Sequence, residues 1–430
     1  MTEKLFYKDS HLSKFKAEVL SCVEAECRKG KKGNGKECYE VELDRTAFFP
    51  EGGGQYADTG VLCLLGADVN ETGEITDTTE RAEKSQKAER AGKIVRVLDV
   101  CERDGRIFHV TDGCLEVGTS VEGRIDWEER FMKMQQHTGE HIVSGLIHAA
   151  YGYHNVGFHL GSEDCTMDFD GELTEEQLRQ IEAEANEAVW KNLKVLTHYP
   201  KKEELSQIEY RSKIEIEGQV RIIEIPGYDC CACCAPHTAY TGEIGIIKLV
   251  HMQRYKGGVR ITMLCGVRAL ADYVRKENQT KEISRLLCAK EGEIAEAVVH
   301  LSEEVSRLKY ELSEKEKHFV RARADMIPKN GKSVCIFTEE FSGDSMRILM
   351  NFVLDAGHPS CAVFYGNDSD GYRYVLGSRQ QNVRDLAKEF HAQFDGRGGG
   401  KPEMVQGTVR GEKEKIEKWL INWEKERESR

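Results

Sequence analysis

Two histidines four residues apart, His137 and His141, give this sequence its sharpest chemical signal. On a helix, residues four apart lie on one face, so both imidazoles can reach a single metal ion. Glu140 precedes the second histidine, whereas the zinc-protease motif His-Glu-x-x-His has its glutamate directly after the first. That protease interpretation therefore fails, and a metal-binding pair and an ordinary solvated or buried pair both stay open.

A second half-site follows about one hundred residues later, where Cys233 and His237 flank three residues in a segment leading to Thr-Gly-Glu. With the helical pair they form a set of three imidazoles and one thiolate. Zn²⁺ accepts both donor types in tetrahedral geometry, so we expect one zinc ion held by these four side chains. The competing interpretation is that the cysteines are only buried thiols.

Three further cysteines, Cys230, Cys231 and Cys234, lie close enough to be rival ligands. Together with Cys233 they form two Cys-x-x-Cys pairs, Cys230 with Cys233 and Cys231 with Cys234, so a redox site or a structural site of four cysteines is a competing hypothesis. A thioredoxin-like motif should follow a strand and open a helix, and neither pair does so. The context therefore disfavours thiol–disulfide exchange.

A glycine-rich segment closes the stretch from Asp44 to Gln55, where three consecutive glycines follow Glu51. Such glycines let a backbone take positive φ or approach a ligand closely, although glycine loops are more often simple turns. No Gly-Lys-Ser/Thr follows, so the segment does not match a phosphate-binding loop.

The composition limits the classes of protein to consider. The chain has 430 residues, which predicts two to four domains, and 61 Lys and Arg against 74 Asp and Glu give a net charge of −13. This acidity argues against non-specific attraction to nucleic acid, so a polyanion would need a local basic surface. We expect no membrane-spanning helix, and the charged N-terminal residues predict a cytoplasmic protein in which clustered cysteines bind metal or react.

The elements that must position these residues alternate along the chain. Short strand-like segments flank the glycine-rich loop, and 66–92 contains no aromatic residue, which predicts a mobile insertion. Helical periods then cover Trp127–Tyr151 and Thr174–Leu193, the second opening with a capping-box pattern. Strand-like runs return between 194 and 264, and apolar residues spaced three and four apart from Ile283 to Leu312 predict a helical hairpin or coiled coil.

We therefore expect an α+β multidomain protein. Its predicted parts are a small N-terminal β-barrel-like domain over 1–115, an α+β domain with the metal site over 116–269, a helical hairpin or coiled coil over 270–328, and a small α/β domain over 329–430.

Taken together, these motifs resemble the alanyl-tRNA editing proteins, which are free-standing relatives of the editing domain of alanyl-tRNA synthetase. The similar stretches are the glycine-rich segment with Phe49 in place of the usual Tyr, the two metal half-sites, 156–161, 256–260, and the run from Gly398 to Gly407, which resembles the DHH-associated domain. The resemblance covers nearly the whole chain and implies the long form of the family, with 116–269 as its zinc-binding deacylase domain.

The resemblance implies hydrolysis of the ester that joins serine, or glycine, to the 3′ end of alanine tRNA. By match, His137, His141, Cys233 and His237 are the zinc ligands. Thr46, Gly53, Gly54 and Gln55 would bind the amino acid, with Thr46 bonding the serine hydroxyl. Candidates for the general base are Glu140, His159 and the terminal-ribose hydroxyl of the substrate.

The tRNA backbone would meet cations near the acceptor end and in the C-terminal part, namely Lys256, Arg260, Arg397 and Lys401, each of which could equally be ordinary solvated surface. By resemblance, the helical and C-terminal region would form a homodimer. Two alternatives remain, namely a tRNA-binding module with purely structural zinc and no hydrolase activity, and a zinc hydrolase of small esters or amides.

Overall fold

The computed structural model describes residues 1–25, 37–64, 94–161, 164–212, 220–341 and 343–428. The insertion expected at 66–92 lies outside the described residues. The chain divides into two compact units, Met1–Gln279 and Thr280–Arg430. Among the described residues, no helix has the length and apolar character needed to cross a membrane.

The first unit begins with a closed six-stranded barrel, in the order β2-β3-β7-β6-β5-β8, and a parallel pair of short strands, β1 and β4. These strands are β1 (Glu3–Lys4), β2 (Lys14–Ala25), β3 (Cys38–Leu43), β4 (Arg45–Thr46), β5 (Gly60–Leu64), β6 (Ile94–Arg103), β7 (Arg106–Thr111) and β8 (Ser120–Ile125). The expected barrel-like fold is confirmed, and closure leaves its six strands without a free edge.

Alternation along the barrel strands decides what fills the barrel. In β2 the residues from Lys14 to Leu20 alternate strictly between exposed and buried, as one face turns inward and the other meets solvent. The buried set includes Val41, Leu43 and Phe48. The barrel interior is therefore an apolar core.

A long helix, α1 (Trp127–Tyr151), follows the barrel and carries the first half-site. Its observed ends coincide with the predicted ones. Glu128 and Glu129 lie in the first turn, where their negative charges interact favourably with the positive end of the helix dipole. At the other end, Gly152 terminates the helix with φ 72°. The next helix, α2 (Glu175–Lys191), opens with the predicted capping box of Thr174 and Gln177.

Two antiparallel sheets pack around α1, one of four strands in the order β14-β15-β10-β9 and one of three in the order β11-β12-β13. Their strands are β9 (Asn155–Leu160), β10 (Cys165–Phe169), β11 (Leu196–His198), β12 (Ile222–Ile225), β13 (Asp229–Ala232), β14 (Ile247–Tyr255) and β15 (Gly258–Cys265). A short helix, α3 (Lys202–Leu205), lies between β11 and β12. Helix α1 packs against both β13 and β15, so it joins the two sheets.

Buried charges fix α1 to the segment that precedes β5. Arg130 and Lys133 are fully buried on α1 and both pair with Asp58, which is 1% exposed. The Arg130 guanidinium also donates to the Ala47 carbonyl at 2.7 Å, and Lys133 Nζ donates to the Ala57 carbonyl at 2.6 Å. A buried ion left without its partner is costly, so this network fixes the register between the barrel and the helix.

Two further helices, α4 (Gly266–Leu287) and α5 (Ile294–Asp325), cover the segment predicted as a hairpin or coiled coil. Their helical character is as expected. The apolar seam along α5 is solvent-exposed, between 42% and 66%, and consists of Val298, Leu301, Val305, Leu308 and Leu312. The coiled-coil pairing itself therefore stays a prediction.

The second unit contains a five-stranded sheet in the order β16-β17-β18-β20-β19, in which only β16 and β17 run parallel. Its elements are β16 (Val334–Thr338), α6 (Asp344–Asp355), β17 (Ser360–Asn367), β18 (Gly371–Ser378), α7 (Val383–Gln393), β19 (Arg397–Lys401), β20 (Met404–Val409) and α8 (Lys413–Glu428). Alternate residues of β17 enter two cores, Cys361 and Val363 on one face and Ala362 and Phe364 on the other. Helices cover both faces, as a small α/β arrangement requires.

Candidate metal centre

The two predicted half-sites meet in the structure. The donor atoms of His137, His141, Cys233 and His237 all lie within 4.8 Å of one another. Nε2 of His137 lies 3.5 Å from Cys233 Sγ, and Nε2 of His237 lies 3.4 Å from it. Around a tetrahedral zinc ion, nitrogen and sulfur ligands are separated by roughly 3.5 Å, so the donor spacing fits that ion.

Each imidazole is oriented through its other nitrogen. His137 Nδ1 lies 3.0 Å from the Gln55 amide oxygen, and His141 Nδ1 lies 2.8 Å from the Asp229 carboxylate. His237 Nδ1 lies 3.2 Å from the Thr138 hydroxyl. Because Nδ1 donates to these oxygens, Nε2 is left with its lone pair free for a metal.

Charge at the centre suits a metal as well. Burial opposes ionisation of the Cys233 thiol, but interactions with His137 and His237 outweigh it and hold its pKa well below 9.0. Burial also lowers the pKa of His237 to about 3, although the Cys233 sulfur offsets part of the effect. A thiolate and a neutral imidazole are the forms that bind a metal ion.

The neighbouring cysteines occupy different positions from Cys233. Cys230 and Cys234 are outside the two clusters of potential metal donors found among the described residues. Burial and the Cys233 sulfur raise the pKa of the Cys234 thiol to about 11, and burial raises that of Cys231 to a similar value. Of the four neighbouring cysteines, Cys233 is therefore the one that shares a potential donor cluster with His137, His141 and His237.

A second donor group shares one histidine with the first. It consists of His141, Asp229 and Cys231. Arg211 already holds both carboxylate oxygens of Asp229, at 2.8 and 2.9 Å. Because the guanidinium neutralises this carboxylate, Asp229 serves to orient His141 and is poorly placed to bind a cation of its own.

The glycine-rich loop lies beside this centre. Gly54 has φ +79°, and a Cβ there would lie 2.7 Å from the Phe158 carbonyl oxygen. The Gly54 carbonyl accepts a hydrogen bond of 3.0 Å from the Leu160 backbone, which ties the loop to β9. Only glycine fits this close approach, so the last glycine of the run, Gly54, has a structural cause.

The metal centre opens into a cavity of about 770 Å³. This volume is within the range of small-molecule sites. Its lining comprises Tyr7, Gly53, Gly54, His137, His141, Val156, Gly157, Phe158, Tyr199, Arg221, Cys231, Ala232, Cys233 and Cys234. A bound molecule would therefore meet the metal centre at one end and aromatic side chains elsewhere.

Two residues predicted to bind the amino acid lie elsewhere. Thr46 is fully buried in the barrel, where its hydroxyl donates to His109 Nε2 at 2.8 Å and accepts from the Phe48 amide at 3.1 Å. With both functions used, Thr46 is absent from the cavity lining, whereas Gly53 is part of it. Gln55 is buried and holds His137 instead, and its Nε2 has no protein partner among the described residues.

Neither protein candidate for the general base lines the cavity. Glu140 is 1% exposed and accepts hydrogen bonds from the Ser144 hydroxyl and the Asn155 amide, at 2.8 and 2.5 Å. Its second carboxylate oxygen lies 3.9 Å from His141 Nε2, so it contributes negative charge next to the metal centre. His159 is an exposed residue of β9.

The four cations predicted to contact tRNA differ in whether a carboxylate already pairs with their charge. Arg260 forms two hydrogen bonds to the Asp168 carboxylate, at 2.6 and 2.7 Å, which neutralise it. Lys256 lies in the turn between β14 and β15, with its ammonium 5.1 Å from the Tyr255 ring centroid. Arg397 and Lys401 begin and end β19 in the second unit, and both are exposed.

Sequence patterns did not reveal several residues that complete the centre. Asp229, Thr138 and Arg211 orient the ligands, and each is an ordinary polar residue in its local sequence. The only available signal was the position of Asp229, four residues before Cys233. Such supporting residues can be identified only once the ligands are placed in space.

Comparison with known proteins agrees with the geometry. Residues 220–262 match the model of the threonyl and alanyl tRNA synthetase second additional domain, and residues 330–425 match that of the DHHA1 domain. Two parts of this multidomain chain are therefore similar to known domains, one of them a domain of threonyl and alanyl tRNA synthetases.

Full-length relatives are more specific. The alanyl-tRNA editing protein AlaX-L of Pyrococcus horikoshii is 26% identical over 97% of this chain and 96% of its own length. The alanyl-tRNA editing protein Aarsd1 of Rattus norvegicus is 26% identical over 94% of this chain and 93% of its own. The alanine–tRNA ligase of Halobacterium salinarum is 30% identical over 87% of this chain, which spans 38% of that ligase. The predicted resemblance to the alanyl-tRNA editing proteins in their long form is confirmed.

Proposed function

We propose that this protein is a trans-editing hydrolase that deacylates alanine tRNA mischarged with serine or glycine, and so protects the fidelity of translation. The observation that carries the proposal is the convergence of three imidazoles and one cysteine sulfur in a cluster of which His137, His141 and Cys233 line a substrate-sized cavity. The names of its full-length relatives point to the same activity.

The cofactor in this proposal is one Zn²⁺ per chain, held by His137, His141, Cys233 and His237. The donor chemistry fits, since contacts with His137 and His237 lower the pKa of the Cys233 thiol and the Nε2 atoms of both rings lie within 3.5 Å of its sulfur. When bound, the ion would supply positive charge that anchors the amino or hydroxyl group of the substrate or polarises a water beside the ester.

The other groups of the site would position the substrate. The bare backbone of Gly53 and Gly54 leaves room for the small amino acid next to the metal centre. Aromatic walls, including Phe158, exclude bulk water from the ester and so strengthen electrostatic contacts inside the cavity.

For the general base, the substrate's own terminal-ribose hydroxyl is the candidate with the best support. Glu140 is poorly placed to take a proton from a water in the cavity. One of its carboxylate oxygens already accepts hydrogen bonds from Ser144 and Asn155, and the residue is not part of the cavity lining. The ribose hydroxyl is adjacent to the ester in any bound tRNA, so it needs no protein group to bring it there.

Alanine tRNA is the proposed partner, and its backbone would be held by exposed cations such as Lys256, Arg397 and Lys401. A homodimer through the helical and C-terminal region is part of the same proposal. The exposed apolar seam of α5 supports it, because solvated apolar stripes of this length commonly cover one another.

The test is the rate of release of serine from seryl-tRNA for alanine by the purified full chain, with alanyl-tRNA as the reference substrate. A Cys233→Ala variant should lose at least about 100-fold in rate together with its zinc, because a ligand is missing. The matched control is Cys230→Ala, which removes a thiol from the same segment outside the metal cavity and should release serine at close to the parental rate.

The result that would overturn the hydrolase is release no faster than the spontaneous rate from folded, zinc-loaded protein. Retention of tRNA binding in that case would favour the binding module with structural zinc. Release from a small seryl ester as fast as from tRNA would favour a general ester hydrolase.

A further inference from the structure

The cavity extends beyond the metal centre to a second group of side chains. These are Tyr7, from the short 3₁₀ helix at the N-terminus, Tyr199, which follows β11, and Arg221, which precedes β12. None of them contacts the four metal-binding side chains through a hydrogen bond given by the structure.

The Arg221 side chain is fixed and only partly used. Its Nη1 donates to the carbonyls of Cys233 and Ala235, both at 2.9 Å, so the guanidinium is held beside the ligand loop. Its Nε is buried and has no hydrogen-bond partner among the described residues. Among the residues that line the cavity, Arg221 alone carries a lysine or arginine charge. The hydrogen bonds that the described residues give for this guanidinium involve Nη1 alone, so a fixed cation that lines the cavity is suited to an anion.

The two tyrosines supply aromatic surface next to that cation. The Arg221 guanidinium lies 5.1 Å from the Tyr7 ring centroid, so Tyr7 supports the arginine. Tyr199 is 43% exposed, and its hydroxyl donates to the Tyr7 carbonyl at 3.4 Å. This hydrogen bond anchors the Tyr199 ring at the cavity wall while much of its surface stays available for stacking.

We infer that this region, here called the nucleotide subsite (Tyr7, Tyr199 and Arg221), binds the terminal nucleotide of the tRNA, with its base on Tyr199 and its phosphate at Arg221. The inference rests on the proposed function. In an aminoacyl ester the ribose joins the amino acid to both a base and a phosphate. When the amino acid lies at the metal centre, the base and the phosphate must therefore occupy the remainder of the same cavity.

The experiment uses the zinc-loaded full chain and a probe that cannot be deacylated. The probe is adenosine 5′-phosphate with serine attached to its ribose through an amide. The control compound is the same molecule without the phosphate. Affinities are measured by calorimetry. The parental protein should bind the phosphorylated probe about 10-fold more tightly, because only this probe offers an anion to Arg221.

Variants separate the two contacts. Tyr199→Ala should weaken both probes about 10-fold, the size of one lost base stack, whereas Tyr199→Phe keeps the ring and should restore most of the affinity. Arg221→Gln should remove the preference for the phosphorylated probe, and Arg221→Lys should restore part of it. Zinc content is measured for each variant, because Arg221 also holds the loop that carries Cys233.

Equal binding of the two probes to the parental protein would overturn the phosphate contact. Equal affinity of the Tyr199→Ala and Tyr199→Phe variants would overturn the stacking contact. Both readouts are binding measurements, so they are separate from the deacylation assay. A protein that binds the probes as expected but releases no serine would refute the proposed function and keep the subsite. The reverse pattern would refute the subsite alone.

Discussion

Buried histidines occur in two regions of the first unit, and they do different things. In the barrel, His109 is fully buried, with Nδ1 donating to the Val41 carbonyl at 3.0 Å and Nε2 accepting from Thr46. At the metal centre, His137, His141 and His237 are just as buried. Both nitrogens of His109 are satisfied by neutral groups, whereas each ring of the centre keeps Nε2 for a shared point beside a thiolate.

The comparison shows that burial of a histidine does not by itself indicate a metal ligand. The two regions differ in what the Nε2 atom of the ring contacts, which is the Thr46 hydroxyl in the barrel and the other potential metal donors at the centre. Burial lowers the pKa of His109 to about 4, so the ring stays neutral and acts as a polar part of the barrel core. At the centre, His141 Nδ1 lies 2.8 Å from the Asp229 carboxylate, which leaves Nε2 to face the other three donors of the cluster. The surroundings therefore decide whether the same residue type is structural or reactive.

The largest expected effect comes from substituting one histidine in each region. His141→Gln should weaken zinc binding at least about 100-fold, since it removes a ligand whose orientation is already fixed. His109→Gln should leave one zinc per chain, because His109 is outside the donor cluster. Zinc content and competition with a chelator measure both. Loss of zinc from the barrel variant would contradict the distinction between the regions.

Lowering the pH should destabilise the protein through protonation of the barrel histidine, His109. Its folded pKa of about 4 lies below the ordinary 6.5, so the unfolded chain binds the extra proton first as the pH falls. Stability is then lost progressively between pH 6.5 and 4, by about 3 kcal/mol in total. Urea unfolding of the parental protein and of His109→Gln over this range measures it. Identical pH dependence in the two proteins would show that His109 is not the source.

Alanine substitutions at Gly54 and Gly118 test whether the glycine-rich loop needs its close approach to Phe158. Gly54 and Gly118 have nearly the same backbone angle, φ +79° and φ +80°, but only Gly54 has neighbours that an added Cβ would strike. Gly118→Ala should cost about 1 kcal/mol from the left-handed conformation. Gly54→Ala should cost about 2 kcal/mol more, because the Phe158 backbone must also move. Urea denaturation compares them, and equal losses would mean that the close approach is unimportant.

Local sequence predicted the parts of the site that depend on local rules. The helical period placed α1 between Trp127 and Tyr151, and the spacing of His137 and His141 then fixed their common face. The strand-like segments that flank the glycine-rich loop correspond to β3 and β5, and the runs between 194 and 264 include β15. The sequence pattern missed β2 and β8, whose polar faces carry many charges, and thereby two of the strands that close the barrel. Charged residues on the solvent face hide a strand from a search for apolar runs.

Thr46 shows why motif position alone did not define the amino-acid pocket. Its place in the glycine-rich segment suggested a contact with substrate, yet its hydroxyl is used by His109, 63 residues further along the chain. Arg130 and Lys133 show the same limit in reverse. Two charged residues on a helix usually face solvent. Arg130 and Lys133 are buried because Asp58, which is also buried, pairs with both of them.

By itself, the sequence determined the donor types, the ligand pairs that are close along the chain, the helices and the acidic balance, because these depend on residues a few positions apart. The tertiary structure decided that the two pairs meet, that Cys233 and not Cys230, Cys231 or Cys234 belongs to the cluster of four donors, and that Asp229 and Thr138 lie against the rings of His141 and His237. The physical reason is that a metal site depends on distances of a few ångströms between residues about one hundred positions apart. Those distances are set by how the barrel, α1 and the sheets pack together.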